Sequence, residues 1–238
     1  MFDFNQFDNQ SYYGGQGSSG HYQRIINVIP KCDVYCEPFL GHSSVIRNLN
    51  VYPSAIIGIE KDAAVIDKWK QNKPELMHLY HADYTAILPV LTMFYGKKIV
   101  VHFDPPYRNT SSPKKYNHDL TESDYHFLLK FILDVSGSNI DVIVSHWKDD
   151  LFDSYLCGTG NFKHYPFKTM SHRGKPIENG FYLNFDQSKI ELLDYSHAGK
   201  NFTDRQRIQR KTDRMYIKIM SMPAAERNLL LNKIRTQK

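Results

Sequence analysis

The chain has 238 residues, 41% of them hydrophobic and 23% charged, with a net charge of +5. That is long enough for one domain with a sizeable core plus an appendage, and ordinary for a soluble globular protein. No apolar run approaches the ~20 residues of a membrane span, no signal peptide opens the chain, and three cysteines make no disulfide framework, so a cytoplasmic protein outside the membrane is expected.

Residues 1–20 are rich in Asn, Gln, Gly and Ser, and the first eleven read as a loose extension. Beyond them, apolar runs of strand length alternate with amphipathic segments, the pattern of βα units around a largely parallel sheet. Cys32 and Cys36 lack a second ligand pair at zinc spacing and read as small apolar residues beside a strand, so no metal is expected. Val34 to Cys36 reads as a strand, followed by Glu37-Pro38-Phe39-Leu40-Gly41 and a helix from about Ser43. Ala55 to Ile59 is a second strand ending at Glu60, with a helix from Asp62 to about Gln71. Leu79 and Tyr80 lead into Asp83, and Thr85 to about Phe94 reads as helical. Ile99 to Phe103 is apolar enough for a sheet centre. Thr121-Glu122-Ser123-Asp124 opens a helix with a capping-box-like start, and Asp141 to Ser145 is the next strand. Phe181 to Phe185 and Ile190 to Leu193 are expected to pair as a terminal hairpin. The tail reads as two helices, with Thr203 as the cap of the first and Pro223 in the first turn of the second. The expected organisation is an α/β domain over residues 12–198 and a basic helical appendage over 199–238.

Charge is distributed unevenly. From Gly199 to Lys238 eleven Lys or Arg stand against three acids, a net of +8, which leaves −3 for the rest of the chain. In the first tail helix Ile208, Thr212, Met215 and Ile219 share one face, suited to packing on the body or a partner. Arg207, Arg210, Lys211, Arg214 and Lys218 fall largely on the other, either as a solvated face or as phosphate contacts.

The carboxylates carry more information. Glu37, Glu60, Asp83 and Asp104 follow successive strands at separations of 23, 23 and 21 residues. Ligands of an open α/β sheet bind outside the carboxyl ends of its strands, and four acids there suit a ligand with many donors and a positive centre. Each acid alone reads more readily as a helix cap than as a ligand, and four in register shift that balance. The phosphate-cradling glycine fingerprint is missing, which argues against a dinucleotide or a nucleoside triphosphate.

Asp104-Pro105-Pro106-Tyr107 directly after an apolar strand is a rigid, acceptor-rich turn, because proline fixes φ and removes the N–H donor. Such a turn suits methyl transfer to an exocyclic amine, whose lone pair is delocalised into its ring. The Asp104 carboxylate and the Pro105 carbonyl can accept the amine's hydrogen bonds, aim the lone pair and stabilise the charge that develops on nitrogen. Tyr107 can stack on a base turned out of a duplex.

With these elements in order, the chain resembles a known family. Tyr13-Gly14-Gly15-Gln16, IINVIP (25–30), VYCEPFLG (34–41), IIGIEKD (56–62), Ala82-Asp83 and FDPPY (103–107) resemble the D12-class DNA adenine-N6 methyltransferases, especially their short, phage-associated members, with or without a restriction nuclease. The resemblance covers about Tyr12 to Phe185. It implies a Rossmann-like S-adenosylmethionine-dependent methyltransferase fold, S-adenosylmethionine as cofactor and double-stranded DNA as partner. It also implies roles. Tyr13 and Gln16 contact the methionine end of the cofactor, and Glu37, Phe39 and Gly41 form the floor beneath it. Glu60 accepts the ribose hydroxyls and Asp83 the adenine amino group, while Asp104, Pro105, Pro106 and Tyr107 form the catalytic loop. Two positions depart from the family: Gln16 stands at its usual lysine, and Ser43 at the second glycine of its EPFxGxG pattern.

No separate recognition domain lies between Glu37 and Asp104, so DNA contacts are expected elsewhere or from a homodimer mate or partner subunit. The candidates are the loop 108–118 with Lys114, Lys115 and Tyr116, the stretch 163–175 with Arg173, and Arg207, Arg210, Lys211 and Arg214 of the tail. Cytosine-N4 or RNA methylation, and a catalytically silent DNA-binding homologue, stand as the alternatives.

Overall fold

The computed structural model describes residues 20–108, 119–137, 139–170 and 176–236. The chain divides between Ser196 and His197 into two compact units.

In the first unit a short helix α1 (His21–Ile26) precedes β1 (Val34–Glu37), α2 (Ser44–Asn48), β2 (Ala55–Glu60), α3 (Ala63–Gln71) and β3 (Met77–His81). A 3-10 turn, Tyr84–Ala86, runs into α4 (Ile87–Thr92), followed by β4 (Ile99–Phe103), α5 (Glu122–Val135) and β5 (Ile140–Ser145). The helical turn α6 (Asp150–Phe152) continues as a π turn over Asp153–Cys157, and β6 (Lys163–Met170) and β7 (Pro176–Leu183) complete the sheet. Thr121 caps α5 in a true capping box with Asp124, as its sequence announces.

The seven strands lie in the order β3-β2-β1-β4-β5-β7-β6. The first five are parallel, and β7 runs antiparallel to both β5 and β6. This is the doubly wound, Rossmann-like arrangement, with the reversal of strand order between β1 and β4. It bears out the α/β fold class. Alternate strand residues face two cores. Val34, Cys36, Ile57, Val101, Phe103 and Val144 pack with α4 and α5. Tyr35, Ile56, Val100 and Ile143 pack with α1, α2 and α3, including Trp69. The central strands are therefore buried on both faces, which is why they read as continuous apolar runs. Cys32 and Cys36 are buried and free, and burial pushes the Cys32 thiol up to about 12.

The expected terminal hairpin does not form. Asp186 caps a 3-10 turn, Gln187–Lys189, and Leu192 makes only an isolated bridge with Pro30. The partner of β7 is β6, in the register Tyr165↔Phe181 and Phe167↔Asn179. Lys163–Met170 is thus an edge strand rather than part of a recognition loop. Phe167 and Thr169 point inward, while Lys163, Pro166 and Lys168 are exposed. Proline and lysine on an outer strand face blunt a sheet edge, and they also mask the strand's pattern in the sequence.

The second unit holds α7 (Phe202–Met220) and α8 (Ala224–Thr236). Asn201, not Thr203, caps α7 by accepting from the Asp204 amide, and Pro223 immediately precedes α8. No residue of either helix is buried. Among the described residues no helix is long and apolar enough to cross a membrane.

Candidate active site

Glu37 and Glu60 are the last residues of β1 and β2, and Asp83 and Asp104 follow β3 and β4. Because the spatial order is β3-β2-β1-β4, acids spaced along the sequence become neighbours along one edge of the sheet. With strands ~4.8 Å apart, the row spans about 14 Å and crosses the point where strand order reverses.

Glu37 is only 3% exposed. Its Oε1 accepts from the Tyr35 hydroxyl at 2.8 Å and lies 3.4 Å from His102 Nδ1. Tyr35 Oη is 3.0 Å from that nitrogen, and His102 Nε2 is 2.8 Å from Ser145 Oγ, so a buried chain of polar groups runs from β5 through β4 to Glu37. Among the described residues no lysine or arginine pairs with Glu37. A buried carboxylate in that setting is stabilised by a cationic ligand group.

Glu60 is held by the main chain: Oε2 accepts from the Gly41 amide and Oε1 from the Asp62 amide, both at 2.8 Å. Each oxygen keeps a second lone pair for a ligand hydroxyl. Gly41 sits at φ 45° in the left-handed region that glycine tolerates, and its carbonyl accepts from the Trp69 indole N–H at 2.8 Å. Ser43, two residues on, has φ 29° and caps α2 by accepting from the Ile46 amide. A serine therefore occupies backbone conformation that favours glycine. Phe39 stacks on Tyr84 with ring centroids 4.9 Å apart, which fixes the wall between β1 and β3. Asp83 caps the 3-10 turn through Thr85 and pairs with Lys61 at 3.2 Å on the surface. The capping reading of this acid is realised, and the pair itself contributes little to stability.

The turn after β4 is held from outside. Asp104 is half-buried and Pro105 buried. The Tyr125 hydroxyl of α5 donates to the Pro106 carbonyl at 2.8 Å. His146, directly after β5, accepts from the Arg108 amide through Nε2 at 3.0 Å and faces the Trp147 carbonyl through Nδ1 at 2.9 Å. That pattern requires a neutral ring with its proton on Nδ1, and burial holds the imidazole down at about 4. The Arg108 guanidinium grips both Glu122 oxygens, at 2.7 and 2.9 Å, and both Asp149 oxygens, at 3.0 and 3.1 Å. These contacts raise its already high basicity further, with the Glu122 hydrogen bonds the largest cause. Tyr107 lies on His146 at 4.9 Å and meets Trp147 edge to face at 5.0 Å.

No family model matches the chain, and no curated protein matches it. Among solved structures it is similar to an rRNA methylase from Streptococcus thermophilus, at 11% identity and a TM-score of 0.44 over 68% of this chain and 93% of that one. It is also similar to a protein of Streptococcus mutans assigned as a methyltransferase and solved with SAH, at 9% identity and 0.41 over 68% and 94%. A SAM-dependent methyltransferase from Agrobacterium tumefaciens matches at 7% identity and 0.40 over 68% and 58%. At such identities function rests on this chain's own residues.

Of the residues expected at the site, Glu37, Phe39, Gly41, Glu60, Asp83 and the Asp104–Tyr107 turn all fall at the carboxyl edge of the sheet. Tyr13, Gln16, Lys114, Lys115, Tyr116 and Arg173 lie outside the described residues. Arg207, Arg210, Lys211 and Arg214 are exposed on α7, in the second unit. Sequence reasoning missed Trp69 and the residues that fix the turn, namely Tyr125, His146 and Asp149. The one available signal was position, since SHWKD (145–149) directly follows β5 at the ligand-binding edge.

Proposed function

We propose that this chain is an S-adenosylmethionine-dependent methyltransferase that methylates the exocyclic N6 amine of adenine in DNA. The observation that carries the reading is the Asp104–Tyr107 turn, fixed at the reversal of strand order beside three strands that each lead to a carboxylate.

The donor set fits the cofactor. Glu37, buried with no lysine or arginine partner among the described residues, would hold its ammonium group; Glu60 would accept its ribose hydroxyls and Asp83 its adenine amine. When bound, S-adenosylmethionine supplies a methyl group already activated on a sulfonium. The work left to the protein is orientation. The Asp104 carboxylate and the Pro105 carbonyl accept the two hydrogens of the target amine, aim its lone pair and stabilise the positive charge that grows on nitrogen. Pro105 and Pro106 bring no N–H to compete for those acceptors. The Tyr125, His146 and Arg108 contacts keep the turn in that geometry without reorganisation. The basic face of α7 would add phosphate contacts with double-stranded DNA.

The test is tritiated methyl transfer from S-adenosylmethionine to unmodified duplex DNA. Label is expected as N6-methyladenine, and Asp104→Ala should lower the rate at least about a hundredfold with cofactor affinity retained. In the same assay Arg210→Glu with Arg214→Glu should raise KM for DNA and flatten its salt dependence. Label in cytosine or in RNA alone would replace the adenine-DNA reading. No label and no cofactor binding would overturn the enzyme reading in favour of a binding module.

A further inference from the structure

We propose that Trp147 belongs to the target-base site: with Tyr107 it forms a right-angled aromatic corner that receives a purine turned out of the nucleic acid. The inference rests on the methyltransferase reading and adds to it a residue outside the catalytic turn.

The position comes from the sheet. Trp147 stands two residues beyond the end of β5, whose Val144 pairs with Phe103, so the loops after the two strands emerge side by side. The Tyr107 and Trp147 rings are 5.0 Å apart at an interplanar angle of 89°. The corner is rigid. Tyr107 rests on the His146 ring, which lies flat on Phe152 with centroids 3.9 Å apart at 12°. His146 is bonded at both ring nitrogens, to the backbone of Arg108 and of Trp147 itself. A single buried imidazole thereby ties together the segments that carry the two walls.

Exposure separates Trp147 from an ordinary core residue. The only other tryptophan, Trp69, is 0% exposed, whereas Trp147 is half-buried and its indole N–H makes no hydrogen bond among the described residues. A large ring only partly buried beside the Asp104–Tyr107 turn is arranged for a flat partner. A purine laid against one wall presents its edge to the other, so the offset-stacked and edge-to-face arrangements that aromatic quadrupoles favour are met together. The indole N–H adds a donor for a purine ring nitrogen. Stacking accepts any base by its face, while Asp104 and Pro105 select the one that offers an exocyclic amine.

The experiment measures KM and kcat of Trp147→Ala on unmodified genomic duplex DNA, with S-adenosylmethionine affinity by calorimetry and the thermal midpoint alongside. KM for DNA should rise roughly 10- to 100-fold, as expected for loss of one stacked base, with cofactor affinity unchanged. Trp147→Phe should recover most of the loss. Trp147→Leu, which keeps apolar bulk but no π face, should behave as the alanine variant. A leucine variant with wild-type KM overturns the proposal and leaves the methyltransferase reading intact. Loss of cofactor affinity in both the alanine and leucine variants would make Trp147 a structural residue, and also overturn it. A wild-type protein that methylates no nucleic acid sinks the functional reading, and this proposal with it.

Discussion

The two sides of the strand-order reversal hold their functional groups by different means. On the β1–β3 side Glu60 and Asp83 are held by main-chain amides, while Glu37 accepts from the Tyr35 hydroxyl. Glu60 accepts from Gly41 and Asp62, and Asp83 from Thr85. On the β4–β5 side the Asp104–Tyr107 turn and the adjoining Arg108 are held by side chains that arrive from 19, 38 and 41 residues away, Tyr125, His146 and Asp149. Local amide contacts come with the strand–loop–helix geometry and tolerate change around them. A side-chain clamp is only as good as each of its members. On the proposed reading, the Glu60 and Asp83 positions of the cofactor half are a property of the fold, and the target half is a property of particular residues.

Glu60→Ala tests the first statement and has the largest expected effect. It removes a ligand acceptor and strands the Gly41 and Asp62 amides, each costing about 1–3 kcal/mol if left unpaired. S-adenosylmethionine binding should weaken about a hundredfold by calorimetry, equivalent to about 2.7 kcal/mol. Unchanged affinity would break the comparison, since the carboxylate would then neither bind nor shape the site.

The clamp carries a pH dependence. The folded-state pKa of His146, about 4, lies below its ordinary 6.5, so the unfolded chain takes up the proton first as pH falls. Stability from this group is complete above about pH 6.5 and is lost progressively toward pH 4, a loss on the order of 3 kcal/mol. His21 and His42 are buried in the same sense, with values of about 3 and about 4, and lose stability over an overlapping range. His146→Gln should therefore flatten the pH 6.5–4 stability curve by its own share, read from urea midpoints, and leave the rest. The groups facing the ring are Tyr107, Phe152, Trp147, Arg108, Asp149 and His164. An identical slope in the variant would show that the clamp does not depend on a neutral imidazole.

Ser43→Gly is the smallest effect and sharpens the cofactor side. Glycine relieves the strain of a positive φ but gives up the cap on Ile46 and gains freedom in the unfolded chain. These terms oppose, so the thermal midpoint should stay within the equivalent of about 1 kcal/mol. A much larger loss would mean that the side-chain cap, not backbone conformation, governs this turn.

The same division explains what the sequence discloses. β1, β2 and β4 are read from composition because both their faces are buried, and their acids are read because each stands where a strand stops. β6 is hidden because Pro166 and Lys168 occupy its outer face and Lys163 is exposed at its start, so the sequence pattern pairs β7 with the following segment instead. The clamp is hidden for a different reason. Nothing local marks Tyr125 as anything but a core residue of an amphipathic helix, and only the assembled sheet brings its hydroxyl to Pro106. Short-range chemistry is written in adjacent letters, whereas a side chain recruited across the fold leaves no spacing to recognise.

The chain's two tryptophans happen to stand one on each side of this division. Trp69 is sealed from solvent and bonded to the Gly41 carbonyl, and Trp147 is half-buried against Tyr107. The protein therefore carries two optical reporters, distinguishable by accessibility to a dissolved quencher such as iodide. Occupation of the cofactor side should perturb the shielded emission, and arrival of a base the accessible one. If the proposed function holds, the order in which cofactor and nucleic acid bind can thus be followed in the unlabelled protein.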